Sequence, residues 1–326
     1  PAGTLCTMEF MQYFSALPDD LIACLPGDGA VGKHLIDSKL THAVAFTGSV
    51  PTGRAVAVAA AQQMKPAVIE AGGSDPCIIS SHADIDVAAA GVVTAAFLQS
   101  GQVCTSTERV YVVGDVHDQF VAALVKRAQQ LRIGNGLDVA EIGPLVSKPA
   151  RDKVIALVHD AVRKGAKVAL GGHIPPNMDK GWFFEPTILT EMNDDMTLLH
   201  EEVFGPVVSI IRVADFDEAL RRANASDYGL GACVFTSDLD EAFRGVNELK
   251  AGMVWVNNPL VDNDALPFGG MKNSGLGRAL GAQGLDAFRQ PKMVVIDPRA
   301  READWWYPYP DDWFYSPTGD KGRSHS

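Results

Sequence analysis

Apolar residues along this chain switch repeatedly between helical and strand-like spacing, and each switch marks a change of element. The pattern from Thr4 to Leu17 predicts a helix that closes at Pro18-Asp19-Asp20. A short apolar run, Leu21 to Leu25, predicts a strand, and a helix follows to about Asp37. Next come an expected strand at His42 to Phe46, a helix at Thr52 to Met64 and a strand at Ala67 to Glu70. Asp86 to Phe97 is apolar and alanine-rich, a helix that stops near Gly101, a residue type that commonly ends helices. Arg109 to Val113 has the β-branched and aromatic content of a buried strand. Further helices are expected at Asp118 to Leu131, Ala150 to Lys164, Asp215 to Ala223 and Leu239 to Leu249. Further strands are expected at Val168 to Leu170, Val207 to Val213, Gly231 to Phe235, Met253 to Asn257 and, last, Met293 to Ile296. Strands alternating with helices of this length predict an α/β fold with a parallel sheet. No internal repeat or low-complexity tract interrupts the series.

Three places in this pattern carry chemistry. Gly27 to Gly32 reads G-x-G-x-x-G after an expected strand and before a helix, where glycines let a backbone approach a pyrophosphate. The dinucleotide fingerprint also needs an acid about twenty residues on. That region here is Phe46-Thr47-Gly48-Ser49, without a carboxylate, so a turn with no ligand is an equal reading. The second small-residue turn, Thr47 to Gly53, suits a phosphate as well, and two such turns at one carboxyl edge favour a nucleotide. Glu70 follows Val68-Ile69 and precedes Ala71-Gly72-Gly73, placing a carboxylate at the same edge, either as a general base raised by partial burial or as a solvated strand end. Cys104 lies in Gly101-Gln102-Val103-Cys104-Thr105, in the gap between a helix and a strand. Thiols are the side chains most ready to act as nucleophiles near neutral pH, although most cysteines are small buried hydrophobes.

Composition narrows the setting. With 326 residues the chain is long enough for two domains or one large one, and 47% hydrophobic with 21% charged residues is ordinary for a soluble globular protein. A net charge of −12 argues against nucleic acid or an anionic membrane as the main partner. The longest apolar run, Val87 to Leu98, is too short to span a bilayer, and no secretory leader opens the chain. Five cysteines, odd in number and widely spaced, form neither a disulfide framework nor a zinc site, and the eight histidines show no metal-ligand spacing. A reducing, cytoplasmic location is expected. Because Pro1 opens directly into a helix, the chain reads as a segment of something longer. The tail from Trp305 to Tyr315 is dense in Trp, Tyr, Pro and Asp and is expected to lie against a neighbouring surface.

Five motifs occur in one order: Phe46-Thr47-Gly48-Ser49, Glu70-x-Gly72-Gly73, Gly101-Gln102-x-Cys104, Glu202-x-Phe204-Gly205-Pro206 and Pro267-Phe268-Gly269-Gly270. In order and spacing the set resembles the aldehyde dehydrogenase superfamily, from Pro1 to about Ile296. The resemblance implies a partial Rossmann-type nucleotide domain (1–72), an α/β catalytic domain (73–270), a return segment with an oligomerisation strand (271–298) and an aromatic tail (299–326). It implies Cys104 as the nucleophile that adds to an aldehyde, hydride transfer to a nicotinamide, and Glu70 as the base that activates water against the resulting thioester. For the cofactor, NAD or NADP, it implies Gly29, Gly48, Ser49, Gly53, Ala71, Gly72, Glu202 and Phe204, with Lys153 near the same ribose. Val103, Thr105, Asp262 and Phe268 are implied at the substrate mouth, and a homodimer or homotetramer is implied through the strand at Met293. No metal is implied.

Some positions depart from the family pattern. The strand that in the family carries an oxyanion-hole asparagine and a ribose-binding lysine would precede Pro1. Gly3 stands where many relatives have a glutamate that selects NAD, which leaves NADP open. Ala279 follows Arg278 where many relatives have a glutamate. Glu70 favours hydrolysis over the acylating branch, which passes the thioester to coenzyme A, and a non-catalytic fragment is the reading from a different class. Asp262 and Asp264 suit a cationic or polar aldehyde, against the simpler expectation that both face solvent.

Overall fold

A computed structural model describes residues 2–18, 20–303 and 305–309, without the side chains of residues 2–4. Asp19, the surroundings of Gly3 and the tail beyond Tyr309 lie outside the described residues. The order of elements is α1 (Ala2–Met11), α2 (Gly29–Asp37), β1 (Val44–Gly48), α3 (Val50–Ala61), β2 (Ala67–Ala71), β3 (Asp75–Ile79), α4 (Ile85–Phe97) and β4 (Thr107–Val113). It continues with α5 (His117–Ala128), α6 (Lys148–Arg163), β5 (Lys167–Leu170), β6 (Thr187–Thr190), β7 (Val207–Val213), α7 (Phe216–Asn224) and β8 (Gly231–Phe235). The series closes with α8 (Leu239–Glu248), β9 (Met253–Val256), β10 (Gly275–Leu276) and α9 (Gly281–Asp286).

The larger sheet has seven strands in the order β5-β6-β7-β4-β3-β8-β9, parallel throughout except for β5 at one edge. Its central strands are buried on both faces, and side-chain alternation divides them between two cores. Ile78, Tyr111, Ile211 and Val234 join the core covered by α6 and α7, whereas Cys77, Val110, Ile210 and Cys233 join the one covered by α4 and α5. Helix starts follow from local chemistry: Asp84, Ser147, Asp215 and Asp238 each cap a helix by accepting an N–H of its first turn. The smaller sheet is β1-β2-β10, with β1 and β2 parallel and β10 antiparallel to β2.

Two expected strands do not form. Leu21 to Leu25 runs as bends and extended chain, and Leu21, Ile22 and Leu25 are exposed. An extended segment becomes a strand only when another backbone pairs with it, and none of the described residues does so here. Met293 to Ile296 is likewise extended but unpaired, with all four side chains exposed. It belongs to a separate compact unit, residues 290–326, whose described part holds no helix or strand. The first helix also ends earlier than expected, at Met11, and passes into a 3₁₀ turn at Gln12–Phe14. Conversely, β3 and β6 lie where the sequence pattern had suggested nothing regular. Among the described residues no helix is long and apolar enough to cross a membrane.

Candidate active site

Where the two sheets approach, a cavity of about 760 Å³ brings together Thr47, Gly48 and Ser49 from the end of β1, Glu70, Ala71 and Gly72 from the end of β2, and Val103 and Cys104 from the loop before β4. Lys153 of α6, Glu202 and Phe204 from the loop before β7, and Phe268 and Ala279 complete the walls. The cavity thus lies at the carboxyl ends of β1 and β2 but at the amino ends of β4 and β7. The expectation that ligands gather at carboxyl ends therefore holds only for the smaller sheet.

The loop that carries Cys104 is shaped by its backbone. After α4 the chain passes through Gln99 (φ 51°), Ser100 (φ 60°) and Gly101 (φ 71°), three left-handed residues in succession. For Gln99 and Ser100 this conformation is held by outside contacts: Ser100 Oγ donates to Gly143 O (2.8 Å), and Gln102 Oε1 accepts from Val146 N (2.8 Å). At Gly101 a Cβ would lie 2.0 Å from Gly205 O, so only glycine permits both the turn and the close approach of the two loops. Cys104 is half-buried. Burial, reinforced by the negative charge of Asp75, pushes its thiol up to about 11, against the pull of the Cys104 and Thr105 N–H groups that face the sulfur.

Glu70 pairs with Thr47 across β1 and with Gly275 across β10, which fixes its backbone in the middle of the small sheet. Its side chain is 8% exposed, and neither carboxylate oxygen has a hydrogen-bond partner among the described residues. Burial raises its pKa to about 7, opposed by the charge of Arg278. A buried carboxylate with a near-neutral pKa and a half-buried thiol thus line the same cavity.

Glu202 closes the opposite wall. Its carboxylate lies 2.2 Å from where a Cβ on Gly72 would stand, so Gly72 is the seat of that side chain. Burial raises the pKa of Glu202, and Lys153 opposes the shift while donating to Glu202 O (2.6 Å). Ser49 caps α3, its Oγ accepting from Thr52 N (3.4 Å), so the positive end of a helix faces the cavity.

Several expected positions lie elsewhere. Thr105 is buried and does not line the cavity. Asp262 is exposed and lines a different cavity, with Trp255 and Leu266, that shares only Phe268 with this one. Gly29 lies against a third cavity formed with α3 and β1, which Thr52 of the second small-residue turn also borders. Gly53 is buried where α3 crosses β2. The sequence reading passed over Asp75 and Glu108, both buried, with pKa values raised by burial to about 8 and about 7. A charged residue at the head of an apolar run, as in Asp75-Pro76-Cys77-Ile78-Ile79 and Glu108-Arg109-Val110-Tyr111, was the available signal.

Two sheets of one α/β fold thus bring a half-buried cysteine and a buried glutamate to a single cleft. The sequence profile of the aldehyde dehydrogenase family matches residues 1–294, and the chain belongs to that family. Among curated relatives, betaine aldehyde dehydrogenase of Brucella anthropi is 41% identical over 300 residues, spanning 91% of this chain and 61% of the relative. The namesake from Brucella melitensis is 40% identical with the same coverage. The chain therefore spans about three-fifths of the length of these relatives. Among solved structures, betaine aldehyde dehydrogenase of Staphylococcus aureus in complex with NAD+ superposes with a TM-score of 0.82 at 35% identity, covering 87% of this chain and 57% of that one. A variant of the Bacillus cereus aldehyde dehydrogenase gives 0.78 at 38% identity, covering 81% and 54%.

Proposed function

We propose that this chain carries the active site of an enzyme that oxidises a small aldehyde to its carboxylic acid with NAD+ or NADP+. The observation that carries the reading is the single cavity shared by Cys104 and Glu70, with Glu202 and the α3 N-terminus on its walls. Those walls fit a nicotinamide nucleotide. Ser49 and the α3 N-terminus suit a phosphate, Glu202 and Lys153 suit ribose hydroxyls, and Phe204 suits the nicotinamide ring. Solution of a close relative's structure with NAD+ supports the same assignment.

In this reading Cys104 Sγ adds to the aldehyde carbonyl, its thiol proton passing to solvent water as the S–C bond forms and the carbonyl π pair moving onto oxygen. The N–H groups that face the sulfur stabilise the oxyanion. When bound, the nicotinamide supplies the hydride acceptor that lets the adduct become a thioester. Glu70, ionised above about pH 7, takes a proton from the water that attacks this thioester, and the acid leaves Cys104 free again. The base must be separate from the nucleophile because it acts on another molecule in a later step. Presence of Glu70 supports hydrolysis over transfer to coenzyme A.

Betaine aldehyde is the natural first substrate to try, given the relatives. Asp262 gives it no support, since that carboxylate lines another cavity; the acids that a cationic aldehyde would meet are Glu70 and Glu202. The five free cysteines suit a reducing compartment such as the cytoplasm, and a homo-oligomer joined through the exposed strand-like segment at Met293 is part of the same reading. The test is reduced-cofactor production by the natural protein with betaine aldehyde and propanal. Cys104→Ala is expected to abolish it, and Glu70→Gln to give one equivalent per site and then stall. Undiminished NAD(P)H production by Cys104→Ala would sink the proposal.

A further inference from the structure

Glu108 is the second residue of β4, four positions beyond Cys104, and is 3% exposed. Among the described residues no ion pair neutralises it. The neighbouring Arg109 directs its guanidinium to Ser74 O (2.7 and 3.0 Å) and to Tyr111 OH (2.8 Å) instead. What Glu108 does hold is backbone: Oε1 accepts from both Val203 N (2.9 Å) and Phe204 N (3.0 Å), while Oε2 has no partner among the described residues. The amide before them, Glu202 N, donates to Tyr228 OH (3.3 Å), and Glu202 O accepts from Lys153. The segment Glu202–Phe204 is thus suspended from three side chains. Two of its three amides depend on a single carboxylate oxygen.

The segment needs such a hold. Phe204 has φ 51°, a conformation that an aromatic residue rarely adopts unless its surroundings impose it. In that conformation the Phe204 side chain reaches the cavity and the Glu202 carboxylate rests on Gly72. Consecutive N–H groups converging on one acceptor oxygen form a pair of hydrogen bonds that is lost as a unit when the oxygen is removed.

We propose that Glu108 is a positioning residue: it sets the Glu202–Phe204 loop in its cofactor-receiving shape and thereby sets affinity for the nicotinamide nucleotide. The proposal rests on the reading of that loop as cofactor-facing. Glu108 is not expected to touch substrate or cofactor. Its effect belongs to binding, and an uncharged acceptor of the same shape should replace it.

Isothermal titration of NAD+ and NADP+ into the natural protein, E108Q and E108A tests this, alongside amide hydrogen exchange across residues 201–206. Loss of the shared acceptor in E108A should weaken binding about tenfold or more and unprotect the Val203 and Phe204 amides. E108Q keeps a carbonyl oxygen for both N–H groups and should bind within about threefold of the parent. Should E108A fail to fold, E108D takes its place, because its shorter carboxylate cannot span both amides. Binding by E108A or E108D within about twofold of the parent, or E108Q as weak as E108A, overturns the proposal while leaving the cofactor reading intact. If the unaltered protein binds neither nucleotide, the cofactor reading falls and the proposal falls with it.

Discussion

Cys104 and Glu70 are tuned in the same direction, both toward the protonated form, and for the same reason. Each is removed from water at the cavity floor, and the charges nearest Cys104 are carboxylates. A thiol held up to about 11 is a poor nucleophile at rest. Cys104 should therefore alkylate slowly with iodoacetamide at pH 7, its rate climbing about tenfold per pH unit toward pH 10 with no plateau. Peptide mapping separates it from the exposed Cys6, and a plateau near pH 8 would show a thiolate already stabilised in the resting site. Glu70 has the opposite consequence. A carboxyl raised to about 7 is mostly neutral below that pH, so the hydrolytic step gains its base only as pH rises through 7.

Among the elements, those that deliver the site are the ones whose ends the sequence made visible. Glu70 and Cys104 each sit beside a glycine-containing turn next to an apolar run, and that contrast alone placed one at a strand's end and the other between two elements, whereas Glu202 entered only through the family resemblance. The loop that carries Cys104 depends most on Gly101, where φ 71° coincides with backbone 2.0 Å from a would-be Cβ. Gly101→Ala is expected to lower stability by roughly 2 kcal/mol or more and to disturb Cys104 alkylation. Urea denaturation of the two proteins measures the first effect, and an unchanged midpoint would contradict the tight packing of the Gly101 and Gly205 loops. What stayed hidden in the sequence depended on partners distant along the chain. Strand β3 begins Asp75-Pro76, which reads locally as a turn, yet Asp75 Oδ1 accepts from Gly231 N (3.0 Å), 156 positions away. Leu21 to Leu25 and Met293 to Ile296 have strand composition but lack the second backbone that makes a strand. Glu108 looked like any polar residue at a strand's start because the two amides it holds belong to a loop 95 and 96 positions on.

For the molecule as a whole, the arrangement is two sheets contributing opposite ends of their strands to one cleft. The small sheet brings Glu70 and the α3 N-terminus; the large one brings Cys104 and Glu202. In the proposed reaction neither set suffices alone, since one would hold the base and the other the nucleophile, and the cleft exists only where they approach. The Gly27–Gly32 turn opens α2 on another cavity, which β1 and α3 of the small sheet also line. The central claim is that both sets act on a single substrate in sequence. Its most direct test is to incubate Glu70→Gln with betaine aldehyde and NAD+, quench in acid and weigh the peptide that contains Cys104. The account predicts an acyl group, the aldehyde less two hydrogens, on Cys104 and on none of the other cysteines. Reduced cofactor produced without that adduct, or with the adduct on another residue, would contradict it.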